Sequence, residues 1–320
     1  MDGEIWKYCT TEDCKDMLYS FQLLPREMWG LEESLSCLYT LSNHPEDHYR
    51  SLWIPKRRGG YRRLDVPDPL LMQVQKNILH HILDGFSASE AASAYQKNVS
   101  AAQAAALHRW KKLVLKLDIR DFFGSITFPL VLGRGFPAAY FPQEVRTLLT
   151  SLCCFHQHLP QGAPTSPSLS NLVMKPFDAH MLAWCGERGI SYTRYCDDMT
   201  FSGDFKPASV IGKTTGFLET MGMELNREKT VISSQAERQT VTGITVNQVC
   251  QLPRDTRRKL RQEVHRVLRY GTGETDPVQS VRCLERLLGR VSYLLQVRPD
   301  DAWFQERRKE LRKLLKQERG

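Results

Sequence analysis

Three aspartates carry the chemistry this sequence offers. Asp197 and Asp198 are adjacent within Ser191-Tyr-Thr-Arg-Tyr-Cys-Asp-Asp-Met-Thr-Phe-Ser-Gly203, between two runs rich in β-formers. Those runs predict a hairpin with the Asp pair at its turn. Neighbouring carboxylates repel, so a fold that presents them together leaves them in water as an acidic turn or neutralises them with metal. A third carboxylate favours metal. Leu113-Val-Leu-Lys-Leu-Asp-Ile119 reads as a buried strand ending at Asp118, followed by a turn at Arg120-Asp-Phe-Phe-Gly124. A strand with one Asp beside a hairpin with two gathers three carboxylates at one sheet edge. Two hard divalent cations held there, roughly 3.5–4 Å apart, would activate an attacking hydroxyl and stabilise a leaving pyrophosphate. That is nucleotidyl or phosphoryl transfer.

The elements around these residues are readable in the same way. Tyr49-Arg-Ser-Leu-Trp-Ile-Pro55 and Tyr61-Arg-Arg-Leu-Asp-Val-Pro67 predict a hairpin around the basic turn Lys56-Arg-Arg-Gly-Gly60. Helical spacing covers 70–83, stopped by Gly85, then 168–184 and 207–221. A strand is expected at 230–233. From Arg254 onward three amphipathic helices follow, broken at Gly271-Thr-Gly273 and Val297-Arg-Pro299, the third starting near Asp300. Residues 1–48 read as helical up to a break at Asn43-His-Pro-Glu-Asp, with His44 and His48 on the surface. In Pro160-Gln-Gly-Ala-Pro-Thr-Ser-Pro167, a rigid loop, Gly162 lets backbone approach a ligand and Gln161 offers an amide to a sugar or phosphate.

Tyr195-Cys-Asp-Asp198 resembles the Tyr-x-Asp-Asp box of reverse transcriptases. Leu115-Lys-Leu-Asp-Ile-Arg-Asp-Phe-Phe123 is similar to their first catalytic motif, and Leu159-Pro-Gln-Gly-Ala-Pro-Thr-Ser-Pro167 to their Pro-Gln-Gly box. The three stand in the family's order at palm-like spacings. Val241-Thr-Gly243 is similar to the Val-Thr-Gly motif of bacterial retron reverse transcriptases, and the likeness runs over about 49–311. The resemblance implies an α+β right-hand polymerase: an N-terminal helical region at 1–48, fingers and an antiparallel palm at 49–245, and a basic helical thumb at 246–320. It implies RNA-directed DNA synthesis with two Mg²⁺, or Mn²⁺ as a substitute, on Asp118, Asp197 and Asp198, with the Ile119 carbonyl as a further ligand.

The same resemblance assigns Lys56 and Arg62 to the triphosphate, with Arg57, Arg58 and Arg63 as neighbours able to take either role. Phe123 becomes a steric gate against a ribose 2′-OH; Phe122 belongs to the core and Asp121 to the turn or the sugar. Lys229 matches a lysine that reaches the triphosphate. Tyr95 and Lys97 are template candidates. Residues 239–247 resemble the family's strand pair that supports the primer end, with Val241, Thr242 and Gly243 acting there, Gly243 by close backbone approach. A retron motif Asn-Ala-x-x-His, which the resemblance links to recognition of the cognate RNA, has its counterpart in Ala104-Ala-Ala-Leu-His108, where His108 is kept as a nucleic-acid candidate and Ala104 replaces Asn; a lone His at a helix end is otherwise more often structural. A retron enzyme implies a cognate structured non-coding RNA as template and primer, dNTPs, and single-stranded DNA still joined to RNA (msDNA). It also implies a separate effector protein and a role in phage defence. Two rival readings are another bacterial reverse transcriptase (group II intron, diversity-generating or abortive-infection type) and an RNA-binding scaffold with a relic site. No endonuclease or maturase extension is visible, which weakens the intron reading. Three intact carboxylates, Gln161 and Phe123 speak against the scaffold.

Composition bounds these expectations. The chain has 320 residues, enough for a large core and two or three subdomains. No apolar run approaches the roughly 18–20 residues of a membrane span, and no signal peptide is expected. Nine cysteines without a C-x-x-C pair suggest reduced thiols and a cytoplasmic protein. The net charge is +8, from 44 Lys+Arg against 36 Asp+Glu. Residues 254–320 hold 18 basic and 10 acidic side chains, so the rest has 44 − 18 = 26 against 36 − 10 = 26 and is neutral. A basic block on a neutral body fits a polyanion grip, with Arg257, Arg258, Arg261 and Arg269 as phosphate contacts in salt-dependent binding.

Overall fold

The computed structural model describes residues 5–56, 59–97, 99–274 and 276–319; Arg57 and Arg58 lie outside it. The chain begins with helices α1 (Thr11–Ser20), α2 (Leu31–Asn43) and α3 (Pro45–His48), then strands β1 (Tyr49–Pro55) and β2 (Tyr61–Pro67). Helices α4 (Pro69–His81) and α5 (Ala101–Ala106) lead to β3 (Leu113–Asp118). After it come α6 (Phe122–Ser125), α7 (Phe128–Leu130), α8 (Gln143–Cys153) and α9 (Ser166–Gly186). Strands β4 (Ser191–Tyr195) and β5 (Asp198–Gly203), α10 (Pro207–Glu219), β6 (Val231–Ser234), β7 (Thr240–Val241) and β8 (Ile244–Thr245) follow. The chain closes with α11 (Arg254–Tyr270), α12 (Pro277–Val297) and α13 (Ala302–Arg319).

Period-two alternation along β3 divides the interior. The strand order is β4-β5-β3-β6, antiparallel throughout, with β3 between β5 and β6. Side chains alternate between sheet faces. Leu115 and Leu117 therefore point one way with Met199 and Phe201 of β5, into the larger core that α4, α8 and α9 also line. Val114 points the other way, into a second core built with Val241, Ile244 and the apolar stripes of α11, α12 and α13. Asp118 has the parity of Val114, and Asp198 that of Thr200 and Ser202. Both acids thus leave the sheet on the face away from the larger core.

The predicted hairpin at 49–67 forms, with Pro55 opposite Tyr61 at its tip. Helix α4 starts where the Asp68 carboxylate accepts from the Leu71 amide at 2.8 Å, with Pro69 in its first turn. Helix α8 is not among the expected elements, although Val145, Leu148, Leu149 and Leu152 give it a buried face at helical spacing. The acidic hairpin turns one residue earlier than expected. Cys196 and Asp197 make the turn, and Asp198 opens β5 opposite Tyr195. His48 is not a free surface residue, because its Nδ1 lies 2.7 Å from Asp68 Oδ2 and its side chain is only 20% exposed. Among the described residues no helix is long and apolar enough to cross a membrane.

Candidate active site

Register brings the three aspartates together. Asp118, the last residue of β3, pairs with Asp198, the first of β5. The Ile119 amide donates to the Asp197 carbonyl at 3.2 Å and ties the turn to the end of β3. One ligand oxygen from each carboxylate then lies within 4.8 Å of the others. Desolvation in the cleft, then the charges of Asp197 and Asp118, push the Asp198 carboxyl up to about 6. Burial, followed by the field of Asp118, raises Asp197 as well. Like charges at such spacing favour protonation or a bound cation. The donor set is oxygen only, since the Cys196 thiol is buried and accepts from the Tyr95 hydroxyl at 3.4 Å. Such a set suits a hard divalent cation.

The turn is held from behind by residues the sequence does not single out. Arg194 and Asp178 are fully buried and paired, Nη2 to Oδ2 at 2.6 Å and Nε to Oδ1 at 2.9 Å. Arg194 Nη1 reaches on to the Cys196 carbonyl at 3.0 Å and to Asn171 Oδ1 at 3.2 Å. The Tyr192 hydroxyl donates to Asp178 at 2.8 Å. This bracing matters because Cys196 sits at φ +59°, a left-handed backbone that disfavours a non-glycine residue. Residues 91–94 add a backbone seam along β4, from the Arg194 amide to the Ala91 carbonyl at 2.7 Å and from the Ser93 amide to the Arg194 carbonyl at 2.8 Å.

An open cavity of about 640 Å³ lies over the triad, and most nucleotide candidates line it: Lys56, Arg62, Phe123, Gln161 and Lys229. Arg63 is drawn into a bond with Asp65 at 2.9 Å. Phe122 is core, as expected, while Phe123 is half-buried at the cavity wall. Asp121 lines the cavity with φ +43° at the start of α6 and is not part of the acidic cluster. Gly162 packs tightly against β2. A Cβ there would meet the Asp65 carbonyl at 2.8 Å, and the Asp65 amide donates to the Gln161 carbonyl at 2.9 Å. Lys229 places Nζ 2.8 Å from both oxygens of Asp118. Burial pulls its pKa down, but Asp118 and the charges of Asp197 and Asp198 outweigh that and hold it above the ordinary lysine value. His156 and His158, which carry no signal in the sequence, also line the cavity. His156 and Gln157 form a two-residue turn with φ +49° and +66°.

The nucleic-acid candidates divide. Tyr95, half-exposed at φ +61°, faces the cavity beside the acidic turn. Lys97 is outside the cavity lining and pairs with Asp84 at 2.7 Å. His108 corrects its expectation: it has no exposed surface and bridges Ser202 Oγ at 2.7 Å and Thr193 Oγ1 at 2.8 Å, so its ring cannot touch RNA here. Val241 is likewise in the second core rather than on a binding surface. Thr242 and Gly243 form the β7–β8 turn with φ +47° and +81°, which explains the glycine; a Cβ at 243 would meet open space. Arg257, Arg258 and Arg261 converge on a second cavity of about 510 Å³ with Arg238 and Arg254, two residues not foreseen. Arg261 stacks 4.6 Å over Trp303, and Arg269 stands apart, 5.5 Å over Tyr270.

Comparison with known proteins points the same way as this geometry. Residues 54–246 match the family described as reverse transcriptase (RNA-dependent DNA polymerase). The chain is similar to the Retron Mx65 reverse transcriptase of Myxococcus xanthus, 34% identical over 284 residues, covering 83% of this chain and 65% of that one. It spans just under two thirds of that relative. It is 30% identical over 264 residues to the Retron Ec86 reverse transcriptase of Escherichia coli, covering 81% of this chain and 76% of that one. To the Retron Ec83 reverse transcriptase of the same species it is 31% identical over 281 residues, covering 81% and 86%.

Proposed function

Since this chain belongs to the reverse transcriptase family of RNA-dependent DNA polymerases, and to its retron type, we propose that it makes RNA-linked single-stranded DNA from one cognate structured RNA. In this reading a primer 3′-hydroxyl, or an RNA 2′-hydroxyl at the first step, attacks the α-phosphorus of a dNTP. The new phosphodiester forms, the α–β bridging bond breaks, and pyrophosphate leaves. The observation that carries the reading is the convergence within 4.8 Å of three carboxylates, two from the paired strands β3 and β5 and one from the turn before β5. Asp118, Asp197 and Asp198, with the Ile119 carbonyl, would hold two Mg²⁺, or Mn²⁺ as a substitute. Bound there, such ions supply Lewis acidity to the attacking and leaving oxygens.

The chain's own residues do the rest. Lys56 and Arg62, both on the cavity wall, take the triphosphate charge. Gln161 and Phe123 meet the sugar, Phe123 where a 2′-OH would clash. Tyr95 borders the template side, Thr242 and Gly243 the primer end, and the arginines of α11 the phosphate backbone. These roles go with a division into an N-terminal helical region at 1–48, fingers and palm at 49–245 and a thumb at 246–320. A cytoplasmic location, a separate effector protein and antiviral defence complete the proposal.

The experiment has two parts. Purified protein is given an RNA template, a primer, dNTPs and Mg²⁺; nucleic acid is also recovered from cells carrying the native locus. Wild type is expected to extend the primer and to yield a discrete DNase-sensitive band that RNase shifts. Asp197→Asn should lower extension by roughly a hundredfold or more, because a metal ligand contributes several kcal/mol at the transition state. Extension without the discrete band would leave a polymerase but not a retron. Bound RNA with no extension would leave a scaffold.

A further inference from the structure

We propose that Lys229 is a resident counter-ion of the acidic triad, a positioning residue that gives up Asp118 when a divalent cation is held there. The inference rests on the metal-site reading above. Asp118 is only 4% exposed, so water cannot satisfy its charge, and a buried carboxylate needs a partner. Lys229 is that partner, with Nζ at 2.8 Å from Oδ1 and from Oδ2. An ammonium 2.8 Å from both oxygens repels a divalent cation brought to roughly 2.0–2.1 Å from either, so the two compete for Asp118.

The surroundings allow the exchange without disturbing the fold. The Lys229 side chain is 52% exposed, and its four-carbon stem lines the same cavity as the triad. Its backbone, in contrast, is fixed. The Lys229 amide donates to the Asn226 carbonyl at 3.1 Å, and the Asn226 amide to the Asp118 carbonyl at 2.7 Å. The next residues enter β6, where Val231 pairs with Lys116 of β3. Only the side chain has to turn. Lys229 therefore keeps the triad partly neutralised until a cation replaces it, and its released ammonium stays in the cavity that Lys56 and Arg62 share. Cation affinity carries the cost of this exchange, because the cation must displace the ammonium from Asp118.

Binding of Mn²⁺ alone, without nucleotide or nucleic acid, tests this by paramagnetic resonance of the free ion. Wild type, Lys229→Met, Lys229→Arg, Asp118→Asn and Asp197→Asn are titrated. Lys229→Met is expected to bind Mn²⁺ more tightly than wild type, by about threefold to tenfold, the exchange cost of one half-exposed ion pair. Lys229→Arg keeps the charge and should stay near wild type. If neither Asp variant weakens binding, the metal-site reading fails and the inference with it. If both weaken it but Lys229→Met binds no tighter than wild type, the counter-ion role alone is overturned. A second measurement uses wild type only. Acylation of Lys229 by an N-hydroxysuccinimide ester, followed by mass spectrometry, should speed up when Mn²⁺ is added; an unchanged rate overturns the inference.

Discussion

Asp178 and Arg194 form an ion pair with no exposed surface, one from α9 and one from β4, and their bonds end on the turn that carries Asp197. Removing one partner of such a pair leaves an uncompensated buried charge. Asp178→Asn should therefore cost about 3–5 kcal/mol of stability, read as a lower urea midpoint at unchanged slope. The sequence shows a Thr-Arg-Tyr run before the acids but not this role. The two residues are separated by 16 positions, and only the packing of α9 beneath the sheet turns the carboxylate toward the guanidinium. The three catalytic candidates are legible for the opposite reason. Asp118 and Asp198 sit at the ends of strands and Asp197 in the turn that joins β4 to β5, all beside apolar patterns that are local, so residue type and position arrive together.

Elements with a clean period are legible, and those that depend on backbone conformation are less so. The strands at 49–55, 61–67 and 113–118 stand where alternation and turn residues put them. The acidic turn does not, because Cys196 adopts φ +59° without the glycine that normally announces such a turn. Only the likeness to a retron motif assigns the residue just past α5 to RNA; a lone His at a helix end is otherwise more often structural. In the fold, burial and then the charge of Lys111 lower His108 to about 4. The unfolded chain takes up that proton near pH ~6.5, so the unfolded state binds more protons between the two values. The contribution of His108 is thus complete above pH ~6.5 and fades as pH falls toward 4, a loss of about 3 kcal/mol. Denaturant midpoints of wild type and His108→Gln, compared between pH 7.5 and 4.5, should converge as acid is added.

At the scale of the whole molecule, the charge balance foretells a basic C-terminal block but not its shape. Arg254, Arg258 and Arg261 share one side of α11, and Arg238 joins them from the loop before β7, which no helical period could reveal. Double replacement Arg254→Gln with Arg258→Gln should weaken binding to duplex RNA of any sequence. The slope of log affinity against log salt should fall by about 1.5, close to one unit for each phosphate no longer neutralised. The two-stranded hairpin β1–β2 has a different consequence. Its outer half is exposed on both strands, and its main-chain link to the loop that carries Gln161 runs from Asp65, tight against Gly162. Mechanically that makes Asp65 a fulcrum and the hairpin a lever. From Asp65 to Tyr61 is four residues, about 13 Å, so a tilt of about 10° carries the tip about 2 Å while the Gln161 end barely moves. Lys56 and Arg62 ride the long arm, and Gln161 sits at the pivot.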